Sequence, residues 1–278
     1  MFFKIKIKYR FILLKYILYS LLKKSSGVEC NDKKIIVSLT TYPKRLNVVH
    51  LAIESLLNQT IKPCKIILWL SGDEISEFSV PLSIKKLVRR GLEIRFMNGN
   101  LKSYKKLIYS IEEFPDYNII TCDDDAIYPS WFIDGLYAKH NEFPHCVVAY
   151  RCALMKKKNK SLLTPYLNWK AASGGVPSYN LFPTGVGGIF YPCGSLNSSV
   201  FQRDLFIKLA PSADDVWFKA MALINNTKTV MAKDSCIEFL TIEGTQDCGL
   251  WHKNVIEKQN DKQLKNVFDY FDLYGLIE

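Results

Sequence analysis

No two cysteines of this chain stand at the C-x-x-C spacing of a zinc or redox site, although there are 8 of them. They are scattered at 30, 64, 122, 146, 152, 193, 236 and 248, and Cys122, Cys146 and Cys236 fall inside apolar runs. Reduced, buried thiols and a reducing compartment account for that pattern most simply. The chain also lacks an apolar stretch of the ~20 residues that a bilayer demands. It has no G-x-G-x-x-G loop opening a helix, so a dinucleotide fingerprint is absent. Internal repeats and low-complexity tracts are missing too.

One more absence is local. Residues 1–24 contain no acid, yet they hold Lys4, Lys6, Lys8, Arg10, Lys15, Lys23 and Lys24, which is +7 of the net +10. The remaining 254 residues carry only +3 and are nearly balanced. Charge packed into one end argues against a basic nucleic-acid groove. The segment MFFKIKIKYRFILLKYILYSLLKK mixes aromatics and leucines with its cations, and no small-residue cleavage site follows it. It reads as a helix lying in the headgroup layer of an anionic membrane, with a core-docked N-terminal helix as the alternative.

What is present beyond residue 30 is regular. The chain is 48% apolar and 278 residues long, enough for a globular body with a large core. Strand-like runs at Ile35–Leu39, Lys65–Leu70, Leu92–Met97, Asn118–Cys122 and Cys146–Tyr150 alternate with helical spacings at Leu46–Asn58, Leu82–Arg90, Ser103–Glu113 and Pro129–His140. Such alternation predicts an α/β fold with a mostly parallel sheet flanked by helices on both faces. Past residue 150 the pattern breaks. The stretch TGVGGIFYPCGSL reads as a close-packed turn before a strand, and Lys156–Lys158 as a solvated loop. Ser198–Leu209 and 211–223 read as helices, with Ser212 as the N-cap of the second.

Asp123, Asp124 and Asp125 follow the fourth strand directly. Adjacent carboxylates repel one another and gain from company only when a cation sits among them. Ligands of parallel sheets bind at the carboxyl ends of strands, and these three residues occupy such an end. A solvated turn or a helix cap is the competing account. A second acidic pair, Asp214-Asp215, opens the helix at 211–223.

The order IIVSLTTYPKR, SYKKL, IITCDDD, GGIFYP, SADDVWF resembles that of a GT-A-fold glycosyltransferase. It is most similar to the family-2-like enzymes of bacterial surface polysaccharide synthesis, the lipopolysaccharide O-antigen or capsule type. The resemblance runs from about Lys34 to about Val267 and leaves the basic segment outside. It implies a segment and linker at 1–30 and one transferase domain at 31–278, whose 31–150 half binds nucleotide sugar and whose 151–278 half binds acceptor.

The same resemblance implies roles. Asp123 and Asp125 match the outer residues of a D-x-D that holds Mn²⁺ or Mg²⁺, with Asp124 between them on the donor side. Thr40, Thr41, Tyr42 and Arg45 match the segment that contacts base and phosphate. Lys106, or its neighbour Lys105, matches the basic residue near the nucleotide, unless both are solvated helix lysines. Asp73 falls where a base-contacting acid is expected, although LWLSGDE lacks the usual Asp-Asp-Gly-Ser turn. Asp215, with Asp214 beside it, matches the general base of inverting enzymes. Gly187, Gly188 and Trp217 fall on the acceptor side, Trp217 alternatively filling the core. His252 matches a third metal ligand, or is structural beside Trp251.

The implied partners are a nucleotide-diphosphate sugar (a UDP-sugar first), a saccharide or lipid-linked acceptor and an anionic membrane surface, at the inner face of the cell membrane. Two other classes fit the residues less well. A sugar nucleotidyltransferase would carry a glycine-rich loop where TTYPKR stands. A non-catalytic membrane-peripheral protein would have no need of both acidic clusters.

Overall fold

A computed structural model describes residues 11, 12, 14–19, 22–245 and 259–278. The strands are β1 Ile35–Thr40, β2 Lys65–Ser71, β3 Leu92–Met97, β4 Asn118–Cys122, β5 Ala126–Ile127, β6 Val147–Ala149 and β7 Cys152–Leu154. They continue with β8 Lys157–Asn159, β9 Leu162–Leu163, β10 Lys170–Ala171, β11 Leu181–Pro183, β12 Ile189–Tyr191, β13 Thr229–Met231 and β14 Leu240–Thr241. The α-helices are α1 Val49–Leu56, α2 Leu82–Lys85, α3 Lys105–Glu113, α4 Phe132–Glu142, α5 Arg203–Leu209, α6 Asp214–Ile224 and α7 Gln259–Phe271.

The main sheet has seven strands in the order β13-β6-β12-β4-β1-β2-β3. Alternate residues of its central strands feed opposite faces, which is the period-two consequence of the pleat. Ile36 and Ile119 join Leu107 and Ile108 of α3, Trp217 and Phe218 of α6 and Leu264 of α7 on one side. Val37, Leu39 and Ile120 meet Val49 and Ile53 of α1, Ile84 of α2 and Phe132 of α4 on the other. A sheet covered on both faces needs apolar residues at nearly every position, and IIVSL and NIITC supply them.

All neighbours pair in parallel except β12, which runs antiparallel to both β4 and β6. Because β12 runs backwards, the glycine turn that precedes it lies at the carboxyl edge of β4, with Ile189 opposite Thr121. Sequence periodicity carries no sign of strand direction, so this reversal was invisible in the glycine-rich run. Other departures are shortenings. Pro43–Arg45 forms a 3-10 turn and delays α1 to Val49. The helix expected over 82–90 tightens into a 3-10 turn at Lys86–Arg90 and is closed by Gly91 at φ 107.

The N-terminal segment is helical where it is described, at 11, 12, 14–19 and 22. Tyr16 is buried with Leu51 and Ala52 of α1, Ile127 and Ile242, and Ile12 and Tyr19 pack beside it. Phe11, Leu14, Leu18 and Leu22 point outward. The expected docking of this segment on the core is thus seen on one face, while the other face is exposed. No described helix is long and apolar enough to cross a membrane.

Candidate active site at the carboxyl edge of the sheet

β4 delivers three aspartates to one edge, and each finds a cation. Lys106 Nζ lies 2.9 Å from Asp123 Oδ1. Arg45 Nη1 lies 2.7 Å from Asp124 Oδ1, and its Nη2 lies 3.0 Å from Asp125 Oδ2. Thr41 Oγ1 donates to Asp124 Oδ2 at 2.5 Å, and Tyr128 Oη accepts from the Asp123 backbone N–H at 2.8 Å. Asp124 is almost wholly buried, and burial pushes its carboxyl up against the opposing pull of Arg45 and Thr41. Arg45 reaches further, donating through Nη2 and Nε to the Thr245 carbonyl at 2.7 and 3.2 Å. The bidentate fork of arginine permits this three-way clasp, which a lysine could not make.

The second acidic pair stands across Lys106 from the first. Asp214 Oδ2 is buried without a hydrogen-bond partner and lies 3.6 Å from Lys106 Nζ. Asp215 Oδ2 accepts the Gly185 backbone N–H at 2.9 Å. A Cβ on Gly185 would stand 3.2 Å from Lys106 Nζ and 3.3 Å from Asp215 Oδ1, so a side chain there would crowd both groups. Burial first, and Asp214 second, push Asp215 up to about 7, against the pull of Lys106. Lys106 itself is driven well above its ordinary value: burial opposes the charge, but Asp123, Asp214 and Asp215 outweigh it. One lysine therefore holds both clusters together.

Two devices place these groups. Behind Lys106, the indole N–H of Trp69 donates to Ser38 Oγ at 3.0 Å and Ser110 Oγ at 2.9 Å, and Ser38 Oγ donates to the Lys106 carbonyl. This buried relay ties α3 to β1 and β2. The start of α6 is held from α7: Gln263 Oε1 accepts the backbone N–H groups of Ser212 at 2.9 Å and Ala213 at 3.1 Å, while its Nε2 donates to Ser212 Oγ at 3.0 Å. The N-cap residue of α6 is Ala213, which makes no side-chain cap bond. The expected cap by Ser212 is corrected accordingly: its amide is a donor that Gln263 satisfies from 51 residues away.

Other expected residues fall into place around the edge. Lys105 is buried and donates to Asn100 Oδ1 at 3.0 Å, so Lys106 is the lysine of the cluster and neither is a solvated helix lysine. Thr40 donates to the Trp69 carbonyl at 2.8 Å, and the Arg45 guanidinium stands 5.6 Å from the Tyr42 ring centroid. Asp73 is exposed on the turn after β2 and makes no ion pair or hydrogen bond with the aspartates among the described residues. Gly187 and Gly188 sit at φ 114 and 76, and a Cβ on Gly188 would meet the Phe132 ring at 2.5 Å. Trp217 is fully buried with its N–H donating to the Val200 carbonyl at 3.2 Å, which is the core role of its two expected ones. His252 lies outside the described residues.

Gln263, Gly185, Tyr128 and Thr245 were not singled out by the sequence. Gln263, Gly185 and Thr245 act through partners distant in the chain, and Tyr128, although five residues from Asp123, sits in an apolar run that reads as core; Gln263 in an amphipathic tail reads as an ordinary polar helix residue.

The donor set at this edge suits a hard divalent cation. Asp123 and Asp125 are carboxylates with part of their surface open, whereas Asp124 is closed off by Arg45 and Thr41. Among the described residues no group of three His, Cys, Asp or Glu side chains converges on one point. Two protein carboxylates plus oxygens of a bound phosphate would complete such a site.

Neither a protein-family model nor a curated protein matches the chain. Among solved structures it is similar to S. aureus TarS residues 1–349, at 14% identity and TM-score 0.49 over 74% of this chain and 59% of that one. The same protein in complex with UDP-GlcNAc gives 16% and 0.47, over 74% and 57%. The mannosyltransferase PcManGT from Pyrobaculum calidifontis, in complex with GDP-Man and Mn²⁺, gives 12% and 0.49 over 98% and 80%. The chain thus spans about three-fifths of the TarS structure's length.

Proposed function

We propose that this chain is a metal-dependent, inverting glycosyltransferase of the GT-A type. It moves a sugar from a nucleotide diphosphate to a saccharide or lipid-linked acceptor, in the synthesis of a bacterial surface polysaccharide. The observation that carries this reading is the bridge made by Lys106. Its one buried ammonium pairs with a carboxylate suited to a cation, Asp123, and with Asp214, whose neighbour Asp215 is poised near neutrality.

Asp123 and Asp125 would hold Mn²⁺ or Mg²⁺, which supplies Lewis-acid stabilisation to a departing diphosphate. The chain's own residues supply the remainder. Asp215 accepts the proton of the acceptor hydroxyl as that oxygen forms its bond to the sugar C1. The bond from C1 to the diphosphate oxygen breaks on the opposite face, so configuration inverts. A base held up near 7 stays substantially ionised at neutral pH yet takes a proton readily. Lys106 balances negative charge between donor and acceptor sides and keeps the two acidic clusters from repelling one another. The outward apolar and basic face of the N-terminal helix supports a peripheral seat on the inner face of the cell membrane, where lipid-linked acceptors are found.

The test is nucleotide release from a panel of UDP-, GDP- and dTDP-sugars with and without Mn²⁺. At least one donor is expected to be turned over in metal and silenced by chelator, and Asp125→Ala should lose most of that turnover while melting near the wild-type temperature. Full turnover in excess chelator would overturn the metal-dependent reading. Silence with every donor and acceptor would overturn the transferase itself.

A further inference from the structure

The segment 77–90, beyond the carboxyl end of β2, presents side chains for which the site has no use. Phe78 is 96% exposed and Leu82 72%, and Val88 is also exposed. Phe78 is the most exposed large apolar side chain among the described residues, ahead of Phe11 and Tyr270. Around these stand Lys85, Lys86 and Arg89, all exposed, and Glu77 is the only acid of the segment. Glu77, Phe78, Val80, Lys85, Ile94 and Phe96 line a cleft of about 390 Å³ at the edge strand β3.

This patch continues a second one. The N-terminal helix lies on α1 through Tyr16, and α1 also packs against α2 and the turn that follows it. The chain that leaves the N-terminal helix is tied to the end of the segment at Arg90: the Gly27 N–H donates to the Arg90 carbonyl at 2.8 Å, and Arg90 Nε donates to the Ser25 carbonyl at 3.1 Å. The outward Phe11, Leu14, Leu18 and Leu22, with Lys15, Lys23 and Lys24, therefore flank the same helix as Phe78, Leu82, Lys85, Lys86, Val88 and Arg89. Neither the described N-terminal helix nor the run from 78 to 90 holds an acid.

We propose that residues 77–90 form a second membrane-contact element, which seats on an anionic lipid surface together with the N-terminal helix. This rests on the peripheral-membrane part of the function proposed above. The occupant is a lipid surface because the apolar side chains project singly among long-stemmed cations. That arrangement suits insertion between headgroups, with ammonium and guanidinium groups left at the phosphates. Two contacts also fix rotation where one helix would leave the body free to roll.

The experiment is flotation of the full chain with phosphatidylcholine–phosphatidylglycerol vesicles, against phosphatidylcholine alone, at rising salt. Three proteins are compared: wild type, the double variant Phe78→Ser/Leu82→Ser and the triple variant Lys85→Gln/Lys86→Gln/Arg89→Gln. Each changes only exposed side chains, so melting should match wild type. Wild type should float with the mixed vesicles and release as salt screens the cations. The triple variant should bind about a hundred-fold more weakly, at about five-fold per lost cation. The double variant should lose about ten-fold or more.

If wild type floats and both variants float equally well, residues 77–90 are not a contact and the N-terminal helix alone is the anchor. If wild type does not float, the membrane reading falls and takes this proposal with it. If flotation is unchanged while light scattering shows a wild-type dimer lost in the variants, the face belongs to a second copy of the chain. Nucleotide release in free solution is read in parallel, so failure of the transferase reading is seen separately.

Discussion

The aspartate triplet after β4 and the aspartate pair that opens α6 lie at one sheet edge, yet they are compensated in different ways. Every member of the triplet has a cation within 3.0 Å, and Asp124 has a threonine hydroxyl besides. The pair shares the far side of a single lysine, and Asp214 Oδ2 is buried without a hydrogen bond. Charges matched in this way can trade a protein cation for a bound one. In the pair, burial first and the adjacent Asp214 second push Asp215 up to about 7, more than the shared lysine offsets. On the function proposed above, the difference separates a place that holds a cation from a place that moves a proton.

Lys106→Met should erase the comparison and has the largest expected effect. It leaves Asp123, Asp214 and Asp215 without their shared cation, and loss of one partner from a buried ion pair costs about 3–5 kcal/mol. Denaturant melts should show that loss, with turnover abolished. A variant that melts like wild type would mean that the lysine is not holding the two clusters together.

Asp215→Asn tests the proton-moving side. Turnover should fall by roughly 10²–10⁴ while nucleotide affinity by calorimetry holds, since the proposed mechanism gives this acid to the acceptor and not to the diphosphate. Wild-type turnover should rise with pH through about 7 as the base ionises. The sign for stability is opposite. A folded value raised above the unfolded one favours the native state in acid and loses that contribution as pH climbs through about 7. The Asn variant should therefore melt higher than wild type at pH 8, and the gap should close toward pH 4. If Asp214→Asn is the dead variant instead, the base is its neighbour.

How much of this could be read from the residues divides along the same line. The triplet announces itself: IITCDDD is a buried strand ending in like charges, and its place at a carboxyl edge follows from the alternation of the first 150 residues. The pair does not. PSADDVWF reads equally well as an ordinary helix start, and what lifts Asp215 is burial and then Asp214, against the pull of Lys106 from α3 and of the Gly185 N–H brought in ahead of the reversed strand β12. Strand direction leaves no mark on hydrophobic periodicity, and a short strand such as Ile189–Tyr191 leaves little pattern of any kind. Ser212 was expected to cap α6 because caps are usually local. Gln263 does the work through a contact that no local pattern encodes.

Gln263→Ala should therefore act on the pair and leave the triplet alone. It strips the acceptor from two backbone N–H groups at the start of α6 and should cost about 1–2 kcal/mol. Because those groups precede Asp214 directly, turnover should drop by roughly ten-fold, with the acidic limb of the pH–rate curve displaced. Gln263→Glu keeps the acceptor and should recover the stability in part, while its added negative charge pushes the limb to higher pH. A fall in stability with turnover and pH profile untouched would show that α6 is held well enough without it.

Thr41→Val is the smallest change and probes the triplet where it is best compensated. Valine keeps the shape and removes only the hydroxyl that donates to Asp124 at 2.5 Å. Arg45 stays at 2.7 Å on the other oxygen, so the carboxylate keeps its cation and the cost should be about 1 kcal/mol. Burial already pushes Asp124 up against Arg45 and Thr41, and removal of one of those two opposing contacts lifts it further. The lost hydrogen bond favoured the ionised form. The destabilisation should therefore be fullest at neutral pH and shrink on acidification, as Asp124 protonates in wild type and variant alike. Turnover should hardly move, because both Asp124 carboxylate oxygens are engaged by the protein, one by Thr41 and the other by Arg45, which stays in place in the variant. A large loss of turnover at unchanged stability would place Asp124 among the groups that contact the donor. The triplet would then be less self-contained than its ion pairs make it.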